Sequence, residues 1–291
     1  MNTATFIPAF VRRQSFIELD ARARAQSLMD PGSWRELVGP FNRVESPWLP
    51  QQGIVPQSDD GCIVLKGTIA GKPAVVVALE GGFQAGSMGE VSGAKMTAAL
   101  DLAARDSRNG RKTTAVLLLE TGGVRLQEAN LGLAAIAEVI ASILALRQHA
   151  PVITVIAGTV GCFGGMSLAA GMSSYVVMTP EARLGLNGPE VIEQESGIEE
   201  FDSCDRALIW AINGGEQRVG MGVADELVTD DAQKIAAIVR RYVEAGLPTV
   251  HRSQQVDLYR ERIAALDTSR QIDPLTVKES WGSNAKKGGK Q

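Results

Sequence analysis

The chain has 291 residues, of which 45% are hydrophobic, and a formal net charge of −4 at pH 7. This length suits one large domain, and the mild acidity argues against a nucleic-acid-binding protein. The three cysteines, Cys62, Cys162 and Cys204, lie far apart and form no CxxC pair, which argues against a zinc ribbon or a disulfide framework. Because the N-terminus also lacks the apolar stretch of a signal peptide, we expect a cytoplasmic protein.

Three segments are predicted along the chain, with boundaries at 1–55, 56–250 and 251–291. The first is a helical lead-in, with a helix over Ser15–Met29 that Asp30-Pro31-Gly32 ends and a further turn at Trp34–Leu37. The last contains a C-terminal helix and a basic tail, SNAKKGGKQ, which we expect to be frayed.

Strands and helices are predicted to alternate from residue 62 to about residue 245. Residues 62–80 form two predicted strands around Ala70-Gly71-Lys72, which is a hairpin signal. The elements expected after the hairpin are a helix over Val91–Arg105, a strand over 115–120, a helix to about Gln148, the strand Val152–Ile156, the helix Met166–Met172, the strand Tyr175–Met178, a short strand near Arg183–Leu186, and helices near Glu190–Glu195, Asp202–Asn213 and Gln233–Glu244. This alternation predicts an α/β domain.

One apolar stretch, from Gln148 to Pro180, contains no Asp, Glu, Lys or Arg. Its length makes it a candidate membrane span. However, Pro151 lies near its start, and it contains the glycines Gly158, Gly161, Gly164, Gly165 and Gly171. We therefore interpret it as two strands around a glycine-rich turn and a short helix, because a strand buried on both faces is an unbroken apolar run.

Two strand-to-helix turns are rich in glycine. Turn 1 is Glu120-Thr121-Gly122-Gly123-Val124, and turn 2 is Gly161-Cys162-Phe163-Gly164-Gly165-Met166. Unpaired backbone N–H groups at a helix start carry partial positive charge, and glycine allows a substrate atom to approach them closely. Two such donors aimed at one point make an oxyanion hole. The alternative is that both turns are only tight, since neither is a dinucleotide-binding or Walker motif.

Other catalytic side chains are scarce. His149 ends a helix and His251 lies in a polar segment, so we interpret them as a helix-end partner and a solvated side chain. Cys162 lies in turn 2, but no histidine is close to it in sequence, and a small buried thiol is the preferred interpretation. We find no cluster with metal-ligand spacing, so no metal site is predicted.

Four motifs occur in order: Gly86-Ser87-Met88-Gly89-Glu90, Thr121–Glu128, Gly164-Gly165-Met166 and Gly188–Gln194. Together with LMDPGSWREL upstream, they resemble the carboxyltransferase branch of the crotonase-like superfamily. The resemblance covers about residues 15–245. It implies an α/β crotonase-like (ClpP/crotonase) fold of repeated ββα units, with 56–250 as a carboxyltransferase-type domain.

Within that branch the chain is most similar to the beta subunits of biotin-independent malonate decarboxylases. It lacks a four-cysteine zinc ribbon, its motif reads TGGVRLQEAN rather than SGGARMQEG, and residues 195–202 also fit this form. The resemblance implies a gamma subunit of related fold, with the active site at their interface, together with an acyl-transferase alpha subunit. The substrate would be a malonyl thioester on the CoA-like prosthetic group of an acyl-carrier subunit, and this chain would bind no cofactor itself.

By analogy with the superfamily, the oxyanion donors come from Gly123-Val124 and Gly164-Gly165. The residues expected to contact substrate are Ser87, Met88, Gly122, Arg125 and Phe163. Two alternatives stay open: Ser87 as an ordinary helix N-cap, and Arg125 as a surface arginine. Gln127 and Glu128 could belong to a solvated helix face.

Two other functions remain possible on the same fold. The chain could be the beta subunit of a biotin-dependent acyl-CoA carboxyltransferase, which would use the same oxyanion sites but require carboxybiotin. It could also be a non-catalytic scaffold whose partner carries the site. Sensitivity to avidin separates the first alternative, and mutation of Gly164 in an intact complex separates the second.

Overall fold

The computed structural model describes residues 13–56, 60–128, 130–269 and 272–285. Within these residues, seven strands form one sheet in which the spatial order follows the chain order. The strands are β1 Arg35–Val38, β2 Cys62–Ile69, β3 Lys72–Leu79, β4 Thr114–Leu118, β5 Val152–Ile156, β6 Tyr175–Met178 and β7 Glu226–Leu227. The first three strands pair antiparallel, and each strand from β3 to β7 pairs parallel with the next.

Helices follow the strands as the sequence predicts for an α/β domain. They are α1 Ala21–Leu28, α2 Glu90–Arg108, α3 Asn130–Leu146, α4 Gly165–Met172, α5 Pro189–Ser196, α6 Arg206–Asn213, α7 Gly215–Gly220, α8 Ala232–Ala245, α9 Val256–Ala264 and α10 Pro274–Ala285. The predicted hairpin is confirmed, with Ile69 opposite Lys72 across the two residues Ala70 and Gly71. Both turn residues have positive φ, as the tightest hairpin turns require.

The core lies on both faces of the sheet. Val75 and Val77 pack on one face with α2, α3 and α4, whereas Val76 packs on the other face with α1 and α8. Since successive side chains of a strand point to opposite faces, a strand covered on both sides must be apolar throughout. This explains the unbroken apolar strands in the 148–180 stretch. None of the helices in the described ranges is long and apolar enough to cross a membrane.

Some predicted elements were wrong. Trp34–Leu37 forms no helical turn, because residues 35–38 are the edge strand β1, paired with β2. The lead-in therefore contributes a strand to the sheet, and α1 packs against β3 and α8. Near Arg183–Leu186 there is no regular strand, only isolated bridges. Of the tail expected to fray, residues 283–285 form the end of α10, and 286–291 lie outside the described residues.

Candidate active site

Turns 1 and 2 lie side by side where β4 and β5 end. Thr121 is bridged to Cys162: its N–H donates to the carbonyl of Gly161 at 2.7 Å, and its carbonyl accepts from the N–H of Phe163 at 3.0 Å. Since β4 and β5 are parallel neighbours, their carboxyl ends bring both turns to one edge of the sheet. The two motifs, about 40 residues apart in sequence, thereby form one site.

Further short segments extend this layer on either side. Cys162 is also bridged to Leu184, and the N–H of Gly164 donates to the carbonyl of Leu186 at 2.8 Å. On the other side Val124 is bridged to Met88. The N–H of Met88 donates to the carbonyl of Gly123 at 2.8 Å, and the N–H of Arg125 donates to that of Met88 at 2.7 Å. These bonds fix turn 2 to residues 184–186 and turn 1 to Met88.

The turns touch through two glycines that no other residue could replace without strain. Gly123 has φ +117° and Gly164 has φ +61°, both in the region that favours glycine. A Cβ added at Gly164 would lie 3.1 Å from the Cα of Gly123 and 3.8 Å from the nitrogen of Val124. The backbone of turn 2 therefore packs directly on that of turn 1.

Two backbone donors at this contact have no hydrogen-bond partner among the described residues, namely the N–H groups of Val124 and Gly165. Gly165 is the first residue of α4, where N–H groups have no partner within the helix. The neighbouring glycines are not available as donors. The N–H of Gly123 donates to Thr121 Oγ1 at 3.1 Å, and that of Gly164 donates to Leu186.

The pairing of turn 1 with the 85–88 segment leaves the Val124 N–H without a partner in that segment. The N–H groups of Gly122 and Arg125 both donate to the 85–88 segment, although successive N–H groups of a strand alternate in direction. The alternation is broken at Gly123, where φ is +117°. Because the bridge to Met88 uses the Gly123 carbonyl and the Arg125 N–H, the Val124 N–H points away from the 85–88 segment. The nitrogen of Val124 lies 3.8 Å from the position that a Cβ would take at Gly164. This arrangement can donate hydrogen bonds to an oxyanion.

The other expected substrate residues differ in their surroundings. Met88 and Phe163 are buried, Ser87 is half-buried and Gly122 is exposed. Phe163 lies beneath the guanidinium of Arg183, 5.4 Å from the ring centre. The N-cap of α2 is Gly89, so Ser87 is not the helix N-cap that was considered for it.

Arg125 and Glu128 are both buried, with side chains 3% and 5% exposed, so neither lies on a solvated surface. The Arg125 guanidinium donates to Glu128 Oε1 at 2.8 Å, to Ser87 Oγ at 3.2 Å and to the Ser87 carbonyl at 3.0 Å. Glu128 Oε2 accepts from the N–H of Glu90 at 2.6 Å, at the start of α2. The alternatives of a surface arginine and a solvated glutamate are therefore wrong.

The ion pair between Arg24 and Glu120 is a feature that the sequence did not predict. Both residues are buried, and the Arg24 guanidinium bonds to the carboxylate of Glu120 and to the carbonyl of Phe16 at 3.0 Å. Glu120 is the first residue of turn 1, and its other oxygen accepts from the N–H of Val160, next to turn 2. The only signal in the sequence was a carboxylate at the end of an apolar strand.

Cys162 is the buried thiol that the sequence predicts, with no exposed surface. Burial raises the pKa of this thiol well above its ordinary value, which disfavours the nucleophilic thiolate. His251 is half-buried rather than solvated, and desolvation together with the charge of Arg147 lowers its pKa. Among the described residues, no group of three or more His, Cys, Asp or Glu side chains is arranged to hold a metal ion.

Comparison with known proteins gives the family. The carboxyl transferase domain family matches residues 18–277. The chain belongs to this family. Its fold is the crotonase-like α/β fold that the motifs implied.

Three relatives illustrate the similarity. A chain of a Pseudomonas malonate decarboxylase hetero-tetramer, crystallised with malonate, is 57% identical with a TM-score of 0.89, covering 94% of this chain and 99% of its own. A chain of the Pseudomonas malonate decarboxylase MdcD-MdcE hetero-dimer is 51% identical with a TM-score of 0.75, covering 89% and 100%. The malonyl-S-ACP:biotin-protein carboxyltransferase MADC of Malonomonas rubra is 38% identical, covering 92% of this chain and 88% of that protein. This member of the carboxyl transferase domain family is therefore similar to chains of Pseudomonas malonate decarboxylase along nearly its whole length.

Proposed function

We propose that this chain is the beta subunit of a biotin-independent malonate decarboxylase. In this function it converts malonyl-S-[acyl-carrier protein] to acetyl-S-[acyl-carrier protein] and CO2. The observation that carries the proposal is the pair of unpartnered donors, Val124 N–H and Gly165 N–H, at the contact between turns 1 and 2. The 57% identity to a chain of a Pseudomonas malonate decarboxylase supports malonate chemistry.

The chemistry requires one charge to be stabilised. The bond between the α-carbon and the carboxylate breaks, CO2 leaves, and the bonding electrons move onto the thioester oxygen as an enolate. The α-carbon then takes up a proton to give the acetyl thioester. Because the negative charge develops on one oxygen, two fixed N–H donors lower the barrier, and the loss of one typically costs about a hundred- to a thousandfold in rate.

Partners follow from the same proposal. The substrate arrives on the CoA-like prosthetic group of an acyl-carrier subunit, loaded by an acyl-transferase alpha subunit, and this chain itself binds no cofactor. A gamma subunit of related fold completes the active site at the interface. The hetero-dimer and hetero-tetramer of the Pseudomonas relatives support an assembly of different subunits. We propose that the complex acts in the cytoplasm.

One observation favours a second function. The Malonomonas rubra relative is named as a carboxyltransferase to biotin protein, and it is 38% identical. In such an enzyme the oxyanion donors would be the same, but the carboxyl group would pass to biotin rather than leave as CO2. The backbone geometry alone serves both reactions, since each passes through a thioester enolate.

The test is CO2 release from a malonyl thioester by this chain purified with its partner subunits, with and without avidin. Release that avidin does not inhibit supports the biotin-independent decarboxylase. Release that requires biotin protein and is abolished by avidin refutes it in favour of the carboxyltransferase. If neither reaction occurs with the assembled complex, both proposals fail.

A further inference from the structure

The side chains of Arg125 and Glu128 point to a role that does not involve contact with substrate. Arg125 carries a positive charge beside the candidate oxyanion site, so a direct contact with an anionic substrate would be the simplest expectation. However, its side chain is only 3% exposed. Its three nitrogens already donate to Ser87 and Glu128.

We propose that Arg125 and Glu128 are positioning residues that fix the direction of the Val124 N–H. This inference rests on the proposed function, because Val124 N–H matters as an oxyanion donor. The Arg125 guanidinium donates hydrogen bonds to the hydroxyl oxygen of Ser87 at 3.2 Å and to its carbonyl oxygen at 3.0 Å. Ser87 is the neighbour of Met88, whose backbone bonds to both sides of Val124.

The side chain and the backbone of Arg125 therefore both form hydrogen bonds to the 85–88 segment. The backbone N–H of Arg125 donates to the carbonyl of Met88 at 2.7 Å, while the guanidinium holds the preceding residue. These bonds fix the position of turn 1 relative to the 85–88 segment, and we call this set of bonds the lock. The Val124 N–H, which points away from that segment, has its direction set by the lock.

Glu128 orients the guanidinium and anchors the unit to a rigid helix. One carboxylate oxygen accepts from Arg125 at 2.8 Å, and the other accepts from the Glu90 N–H at 2.6 Å. A negative charge at the start of α2 also suits the partial positive charge there. The carboxylate lies where a Cβ at residue 89 would collide with it, which explains why glycine precedes the helix.

Geometry rather than charge is the essential property of Arg125. A guanidinium forms a rigid fork that reaches several acceptors at once, whereas a lysine ammonium is a single point on a flexible stem. Arg125→Lys would retain the charge but could not bond Ser87 Oγ, the Ser87 carbonyl and Glu128 together. The substitution therefore separates a positioning role from an electrostatic one.

The experiment compares kcat and KM for the malonyl thioester in the assembled complex. For Arg125→Lys and Arg125→Met we expect kcat to fall about ten- to a hundredfold, since small misplacements of reacting groups have effects of this size. We expect KM to change less than about threefold, because no substrate contact is lost. Lys95→Met is the matched control. Lys95 lies on α2, the helix to which Glu128 bonds, and it forms a buried ion pair with Asp60. The substitution breaks this pair without touching Ser87 or Val124, so kcat should be unchanged.

A second variant covers the case in which a single substitution prevents folding. Arg125→Met leaves Glu128 buried without its partner, which is strongly destabilising. The double variant Arg125→Met/Glu128→Gln removes both charges and should fold while retaining the kcat defect. Near-normal kcat in Arg125→Lys, or a raised KM at unchanged kcat, overturns the positioning role.

Amide hydrogen exchange tests the lock without any turnover. In the double variant, the backbone N–H groups of Met88 and Arg125 should exchange at least about tenfold faster than in the wild type, because local opening becomes easier. Lys95→Met should leave both unchanged. If the wild-type complex releases no CO2, the proposed function fails while exchange still tests the lock. Unchanged exchange in the double variant refutes the lock itself.

Discussion

Replacing Gly164 by alanine tests the oxyanion site with a single methyl group. Gly164 has φ +61° and ψ −148°, a conformation that residues with a side chain rarely adopt. Such backbone strain costs on the order of 1–3 kcal/mol. The new Cβ would also lie 3.1 Å from the Cα of Gly123. Carbon atoms normally approach to about 3.5–4.0 Å, so the two turns must separate by roughly half an ångström.

The separation moves the two donors apart. The Val124 N–H moves with turn 1 and the Gly165 N–H moves with turn 2. An oxyanion could then keep only one of its two hydrogen bonds at the best length. Complete loss of one donor costs about a hundred- to a thousandfold in kcat, and a partial loss costs less. We expect Gly164→Ala to reduce kcat about thirtyfold to a thousandfold. Alanine is a sharper test than proline, since proline would also remove the N–H that donates to Leu186.

The assay is CO2 release by the assembled complex, with the amount of folded complex measured by size-exclusion chromatography. Gly171→Ala is the control, because Gly171 lies in α4, whose N-cap is Gly164, and a Cβ added at residue 171 has nothing within 4 Å. That variant should be fully active and slightly more stable, as alanine favours helices by about 1 kcal/mol. An intact Gly164→Ala complex with wild-type kcat would remove the oxyanion assignment and favour a non-catalytic scaffold.

Further predictions concern stability and thiol chemistry. Gly158→Ala places a Cβ against the carboxylate of Glu120, so it should displace that carboxylate from Arg24. The free energy of unfolding, measured by urea denaturation, should fall by up to about 3 kcal/mol. An unchanged denaturation midpoint would contradict this prediction. Iodoacetamide at pH 8 should label the exposed Cys204 and spare the buried Cys162 in the folded protein, by mass spectrometry. Burial raises the pKa of the Cys162 thiol, so this thiol loses its proton at a lower pH in the unfolded state than in the folded state. The free energy of unfolding should therefore fall above about pH 9, and it should fall less steeply with pH in Cys162→Ala. Equal pH dependence in both proteins would show that another group titrates.

Local patterns in the sequence predicted the main α/β elements well. The hairpin at 62–80 and the strands Val152–Ile156 and Tyr175–Met178 match the structure, because uninterrupted apolar runs between glycines and prolines have few other solutions. The strand at 35–38 was missed. Its residues alternate weakly, and only pairing with β2 makes them a strand.

Charged residues near the site were the least predictable part. Arg125 and Glu128 suggest a solvated helix when only neighbours in sequence are considered. Their burial depends on Ser87 and Glu90, which are about 38 positions away along the chain. The same holds for Arg24, whose partner Glu120 is 96 positions away. Periodicity gives no information on such pairs, because it reports only contacts within one element.

The sequence by itself determined most of the strands and helices between residues 62 and 245, together with two glycine turns at the ends of strands. These features are local, since hydrophobic periodicity and the conformational freedom of glycine act within a few residues. The tertiary structure decided which backbone donors are available at those turns. Gly164 loses its N–H to Leu186 and Gly123 loses its own to Thr121, whereas those of Val124 and Gly165 stay unpaired. A hydrogen bond between distant segments exists only once the chain has folded, so only the structure could distinguish these donors.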